Sequence, residues 1–193
     1  MIQALGRALE QFGKVSLQDF ILFSVAGIVL VTLTIVILRV FKIKVPLSDV
    51  LSAMVLAIYV SIILQLTLVC RADNSRIGIE LDIFHGLMGP NSDFRWLMIA
   101  YVVLNCLLFV PFGFVISLFS FINEREKGIQ FIAVLLISLT CSLIIECVQL
   151  MTGRGYYELQ DLVFNTLGGV IGWGVFQIIY RVGALLSGKT LEE

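Results

Sequence analysis

The sequence predicts an all-α protein, a polytopic membrane helix bundle of about five transmembrane helices, and three observations carry that reading. Five long apolar runs fill most of the stretch from residue 19 to residue 182. The chain of 193 residues is 59% hydrophobic and 14% charged, with a mean hydropathy of +1.02, which leaves too little polar surface to coat a soluble domain. The polar residues inside the last three runs fall at helical spacing, and a polar stripe in lipid must look inward.

The leader, residues 1–18, places Ile2, Leu5, Leu9, Phe12 and Val15 at helical spacing and Arg7, Glu10, Gln11 and Lys14 elsewhere. That pattern fits an amphipathic helix lying in the interface, with a frayed tail as the other reading. Ser16-Leu17-Gln18-Asp19 has the capping-box form and marks a helix start ahead of the first apolar run. No small-x-small cleavage site follows that run, so it is expected to stay as a span rather than leave as a signal peptide. Crossing the hydrocarbon core takes about 20 helical residues, and runs 20–38, 50–69, 97–120, 131–151 and 162–180 each come close. Of the connections (39–49, 70–96, 121–130 and 152–161), only the second is long enough to hold structure of its own.

Arg39, Lys42, Lys44, Arg125, Lys127, Arg181 and Lys189 fall on one side of a five-span chain in short segments. Arg7, Lys14, Arg71, Arg76, Arg95 and Arg154 are spread over longer segments on the other. The positive-inside rule makes the first set cytoplasmic. The second connection, with Asp73, Glu80, Asp82 and Asp93, and the 152–161 loop are then outside.

With 1.5 Å of rise per residue, Asn105 lies roughly 12 Å below the outer end of the third span, and Glu146 roughly 8 Å short of the surface on the fourth. Asn165 enters about one turn below Asp161. Ser142, Glu146 and Gln149 follow i, i+4, i+7 and make one polar stripe; Asp161, Asn165, Gly168 and Gly172 make another. Gly168-x-x-x-Gly172, helped by Gly169, is suited to close backbone approach. Pro111 and Gly113 are expected to break or kink the third helix just below Asn105.

These residues also carry a resemblance. Asn105-Cys-Leu-Leu-Phe109-Val-Pro111-Phe-Gly113 resembles the N-x-x-x-F-x-P-x-G signature of the VanZ-like membrane proteins. Glu146-x-x-Gln149, Gly153-Arg154 and Asp161-x-x-x-Asn165-x-x-Gly168 resemble its second signature, in the same order and spacing. The resemblance covers Leu97 to about Trp173 and, more loosely, the span from Val50. It implies a bacterial cell-envelope protein in the cell membrane, of a family named for a member associated with low-level resistance to the glycopeptide teicoplanin. It makes residues 49–182 a four-helix membrane domain and the helix in 19–48 an addition at its N-terminal side, while the basic residues make the turn that ends 19–48 and the tail 183–193 cytoplasmic. The chain departs from the family where many members have an Asn and a Pro-Phe pair in the first outer connection: here it reads Glu80-Leu-Asp82-Ile-Phe84. It departs again after Arg154, with Glu158 and Gln160 near positions that are often acidic.

The ligand-binding set expected from residues and resemblance together is Asn105, Glu146, Gln149, Arg154, Asp161 and Asn165. A plainer reading stands beside it, in which Asn105, Glu146, Gln149 and Asn165 hydrogen-bond one another as a brace; intramembrane hydrogen bonds average about 0.6 kcal/mol. Glu146 argues for a site, since a carboxyl in low dielectric demands neutralisation or a cation, and Arg154 is the nearest base in sequence. Three functions stay open: binding or remodelling of an outer-leaflet component, an intramembrane enzyme on a lipid-linked cell-wall precursor with Glu146 and Asp161 as acid and base, and a scaffold or transporter subunit. Partners are membrane lipids and a lipid-linked precursor or amphipathic antibiotic.

Other residue types point away from further chemistry. Cys106, Cys141 and Cys147 fall inside apolar runs and Cys70 at the end of one, without metal-ligand spacing, and are expected to be small buried hydrophobes. His85 has no companion at useful spacing, and Tyr156 and Tyr157 suit interfacial anchors. With no P-loop, serine elbow or HExxH and no clustered basic patch, no cofactor, metal or nucleic acid is expected.

Overall fold

A computed structural model describes Gly6 and residues 16–71, 76–84, 86–88 and 91–187. The interfacial helix expected in the leader (Gly6 aside), His85 and the end of the tail lie outside these residues. In chain order the elements are α1 (Leu17–Val40), α2 (Leu47–Leu64) running on as a π-helical turn (Gln65–Val69), β1 (Arg76–Glu80), α3 (Ser92–Ser117), the short α4 (Ser120–Asn123), α5 (Lys127–Thr152), β2 (Arg154–Glu158) and α6 (Leu159–Leu186). Five helices, α1, α2 with its π turn, α3, α5 and α6, are long and apolar enough to cross a membrane. The protein is a multi-pass, all-α membrane bundle.

Local chemistry sets the helix starts. Ser16 caps α1, its hydroxyl accepting from the Asp19 N–H at 3.3 Å as the capping box requires. Asn91 caps α3, accepting from Asp93 N at 3.0 Å and Phe94 N at 3.3 Å, so α3 begins well before the apolar run does. Of the break or kink expected at Pro111, the break does not occur: α3 continues as one helix from Ser92 to Ser117. Proline removes the N–H that the Leu107 carbonyl would accept, and one residue further on the Tyr59 hydroxyl donates to the Leu108 carbonyl at 2.6 Å. That bond from α2 supports the helix where its own ladder is weakest.

α1 lies against α2, where Gly27 brings its backbone close to Ala57, and the Gln65 amide of the π turn donates to the Ser16 carbonyl at 3.0 Å. Most other α1 side chains are exposed, Leu30 and Val40 among them, which in a bilayer makes them lipid-facing. The tightest packing joins α3 to α6. A Cβ added to Gly168 would collide with the Cys106 carbonyl, one on Gly172 with the Val110 carbonyl, and one on Gly113 with the Gly169 backbone. Glycine here permits backbone contact, the small-residue packing that replaces a hydrophobic driving force in lipid. Phe109 at 0% exposure, Ile63 at 1% and Val134 at 0% fill the centre.

At the α4 end, polar side chains close the turns. Gln130 donates to the Asn123 carbonyl (3.0 Å) and the Arg125 carbonyl (2.6 Å), and its own oxygen accepts from Trp173 Nε1 (3.2 Å) and from Gln177. Asp49 on α2 accepts from the Ser120 N–H at 2.8 Å and the Ser120 hydroxyl at 2.6 Å, doing for α4 what an N-cap does. Asp49→Ala is expected to lower unfolding stability by about 1–2 kcal/mol, read as a drop in melting temperature in detergent; an unchanged melt contradicts that role for Asp49.

The opposite end holds a feature the sequence reading lacks. β1 and β2 form a two-stranded parallel sheet in the register Arg76↔Arg154 to Glu80↔Glu158. Structure was expected in the second connection alone; the 152–161 loop supplies the partner strand. Parallel pairing needs a long crossover, here the α3, α4 and α5 segment, so the two strands are far apart in sequence. The cysteines correct a second expectation: Cys147 is exposed and Cys70, Cys106 and Cys141 are only partly buried, and Cys147 directly follows the buried Glu146, so on a helix it cannot share that inward stripe.

Candidate functional site

The stripes on α5 and α6 converge at the sheet end. Glu146 and Gln149 are each 1% exposed, Asn165 4% and Asp161 8%, and burying such groups is costly unless they are partnered. Most partners are visible. The Asn165 amide donates to the Ser142 hydroxyl at 2.9 Å, joining α6 to α5. The Asn105 amide donates to the Asp161 carboxyl, joining α3 to α6. Glu146 Oε2 accepts from the Glu158 N–H at 2.9 Å, tying α5 to the end of β2.

The π turn supplies the next contacts. It closes with Cys70 N donating to the Gln65 carbonyl at 2.9 Å, and like any helix end it leaves carbonyls without intrahelical donors. Gln149 Nε2 donates to the Thr67 carbonyl at 2.9 Å, and Arg154 Nη1 to the Leu68 carbonyl at 3.0 Å. Two of the six expected site residues thus cap the end of α2. Gly153 makes this possible: with φ 68° it ends α5 in the left-handed conformation and turns the chain directly into β2.

Arg154, the base nearest Glu146 in sequence, is committed in part to this cap. The guanidinium that acts electrostatically on both Glu146 and Asp161 is that of Arg71, just past the π turn. Glu158 adds its negative charge near both. Arg71 reaches in over Gly155: a Cβ there would lie 2.7 Å from Arg71 Nη1 and 3.6 Å from Gln149 Oε1. Sequence reasoning missed Arg71, Glu158 and Gly155. For Arg71 the available signal was a base at the very end of a span, on the same side as the acids.

Not every polar atom is matched. Gln149 Oε1, Asn165 Oδ1 and Gln160 Nε2 are buried without a hydrogen-bond partner among the described residues, and each such atom calls for a water or a ligand. No group of three or more His, Cys, Asp or Glu residues suited to a metal ion occurs among the described residues. The arrangement is a buried carboxyl pair with the Arg71 guanidinium beside it and three amide atoms, two acceptors and one donor, without partners among the described residues, roofed by a small sheet.

The VanZ/LLP1 family pattern matches residues 50–180, more than half of the chain. The chain belongs to the VanZ/LLP1 family. The matched region holds all six expected site residues together with Arg71, Gly155 and Glu158, while α1 precedes it. No curated protein and no solved structure matches the chain.

Proposed function

We propose that this VanZ/LLP1 protein sits in the bacterial cell membrane with its sheet end outward and binds an amphipathic envelope component there. The role of VanZ type extends to glycopeptide resistance, with teicoplanin first among the drugs to test. One observation supports the reading: residues from α3, α5, β2 and α6 bring buried carboxyls to one end of the bundle, yet the buried Gln149 and Asn165 side-chain oxygens have no hydrogen-bond partner among the described residues. A pure brace satisfies its own polar groups, because an unmatched one costs about 1–3 kcal/mol. In this division Gln149 Nε2 and Arg154 hold the π turn in place, and Asn105, Glu146, Asp161 and Asn165 face the ligand.

A second reading is favoured by the electrostatic contact between Glu146 and Asp161: two carboxyls in one pocket are suited to act as acid and base on a lipid-linked precursor. Mass spectrometry of the bound amphiphile separates the two, since a binding protein returns it unaltered and an enzyme returns product.

Sidedness is tested by membrane-impermeant maleimide on intact cells. Ser92→Cys, at the start of α3, is expected to label, and Asn123→Cys, at the end of α4, is not; the reverse pattern moves the cluster to the inner leaflet. The function is tested by comparing cells with and without the chain for growth in teicoplanin, beside native mass spectrometry of the protein in mild detergent. An amphiphile retained on folded protein and a lowered tolerance in cells lacking it are expected. Unchanged growth together with folded, amphiphile-free protein overturns the reading.

A further inference from the structure

At the end of the bundle opposite the sheet, α1 and α2 leave a groove between them. The pair is fastened by Gln65 on Ser16 at its sheet end and by Gly27 against Ala57 nearer the middle. Beyond that contact lies a groove of about 290 Å³, lined by Ile35 and Val36 of α1, by Leu47, Val50 and Met54 of α2, and by Arg39. Val36 is 52% exposed and Leu47 72%, so the groove opens toward lipid and not into the core. The turn that borders it is basic. Residues 39–46 hold Arg39, Lys42 and Lys44 and no acid, whereas the turn 121–130 balances Arg125 and Lys127 with Glu124 and Glu126. The side chains of Arg39, Lys42 and Lys44 are exposed and have no hydrogen bond or ion pair among the described residues. Asp49, the next acid along the chain, is taken up by Ser120. The turn closes with Lys42 N donating to the Arg39 carbonyl and Ile43 N to the Leu38 carbonyl, each at 2.9 Å. Lys42, with φ 59°, thus holds the left-handed position of a helix end that favours glycine. A cation stands where backbone geometry alone favours no side chain, and strain of that kind gathers where the residue is used. α2 starts from Pro46 without a side-chain cap, which leaves its first N–H groups facing the same turn.

We propose that this groove seats an acyl chain of an anionic phospholipid, whose phosphate is held by Arg39 and the basic turn. A guanidinium meets phosphate oxygens in a bidentate fork, and the pairing strengthens at the edge of a low-dielectric layer. Uncapped helix N–H groups favour an anion in the same place. Lipid chains are as apolar as the lining of the groove, so the chain supplies fit and the head supplies selection. A zwitterionic head brings its own ammonium, which offsets the phosphate and meets the bases of the turn as a like charge. In the orientation given above the turn is cytoplasmic, on the side where anionic lipids attract basic segments next to a span. The site is built on α1, which precedes the family region, and it does not depend on what the sheet end binds.

The experiment measures binding to the full chain in mild detergent by native mass spectrometry, beside the melting temperature. Its probes are phosphatidylglycerol, phosphatidylcholine with the same chains, and glycerol phosphate without chains. Phosphatidylglycerol is expected to bind at least tenfold more tightly than either of the others, a difference of about 1.4 kcal/mol. Equal binding of the two lipids overturns the proposal. Glycerol phosphate binding as tightly as phosphatidylglycerol overturns it too, because the groove then contributes nothing. Arg39→Gln combined with Lys42→Gly removes charge from the turn, and glycine suits its left-handed position, so this variant is expected to melt like the parent and to lose the preference for phosphatidylglycerol. Val36→Trp fills the groove from an exposed position and leaves every charge in place; it is expected to weaken phosphatidylglycerol at least tenfold. Parent-like binding by either variant, once folded, overturns the location, and each gives the reading if the other does not fold. A parent dimer that Val36→Trp separates, with no preference between the lipids, assigns the groove to a second copy of the chain and overturns the lipid proposal.

Discussion

Gly168→Leu and Gly172→Leu are expected to leave almost no folded protein. At both positions the α6 backbone meets a carbonyl of α3, Cys106 in one case and Val110 in the other, so no rotamer change can make room and the helices must part. Overpacking a core ordinarily costs about 1–3 kcal/mol, with flexible side chains giving way. Here backbone would have to give way, at the contact that also holds Asn105 on Asp161. The loss is therefore expected to exceed that range. Size-exclusion profile and melting temperature in detergent read it out. Gly174→Ala and Gly183→Ala are the controls, since an added Cβ at either meets nothing within 4 Å. Parent-like behaviour of both leucine variants refutes close α3–α6 packing.

The same helix pair shows what the sequence could reveal. Gly168 and Gly172 are four apart and flank no charge, so their role follows from local spacing, as do the Ser16 cap and the inward stripes of α5 and α6. Arg71 and Gln149 were harder for a physical reason. Their partners are 75 or more residues away, or are backbone carbonyls released by a π turn that leaves no mark in composition. β2 was hidden because Arg154-Gly-Tyr-Tyr-Glu158 has no clean polar alternation, and two adjacent tyrosines suit a bilayer edge equally well. Pro111 does not end the helix: proline weakens it locally, but α3 packs on α6 and the Tyr59 hydroxyl bonds to the Leu108 carbonyl, and the helix runs on to Ser117. Local rules fail where tertiary contacts decide.

Glu146→Gln is expected to fold like the parent and to lose the protein's function. The amide oxygen of glutamine can still accept from the Glu158 N–H that Glu146 now takes at 2.9 Å, so the tie between α5 and β2 survives and the melting temperature is expected to change little. The negative charge is gone, however, and a ligand held by charge loses its counter-ion in a site where water cannot replace it. Amphiphile binding is expected to fall at least tenfold and the growth advantage in teicoplanin to disappear. Glu146→Leu separates shape from charge, because it also strands the Glu158 N–H and is expected to destabilise the fold by about 1–3 kcal/mol. Arg154→Gln supplies the contrasting case: it weakens the cap on the Leu68 carbonyl, so any functional loss should follow its destabilisation. Asp161→Asn resembles Glu146→Gln, keeping an acceptor for Asn105 while removing charge. If folded Glu146→Gln and Asp161→Asn proteins bind and protect as the parent does, the buried carboxyls brace the bundle and do nothing else, and the proposed site is wrong.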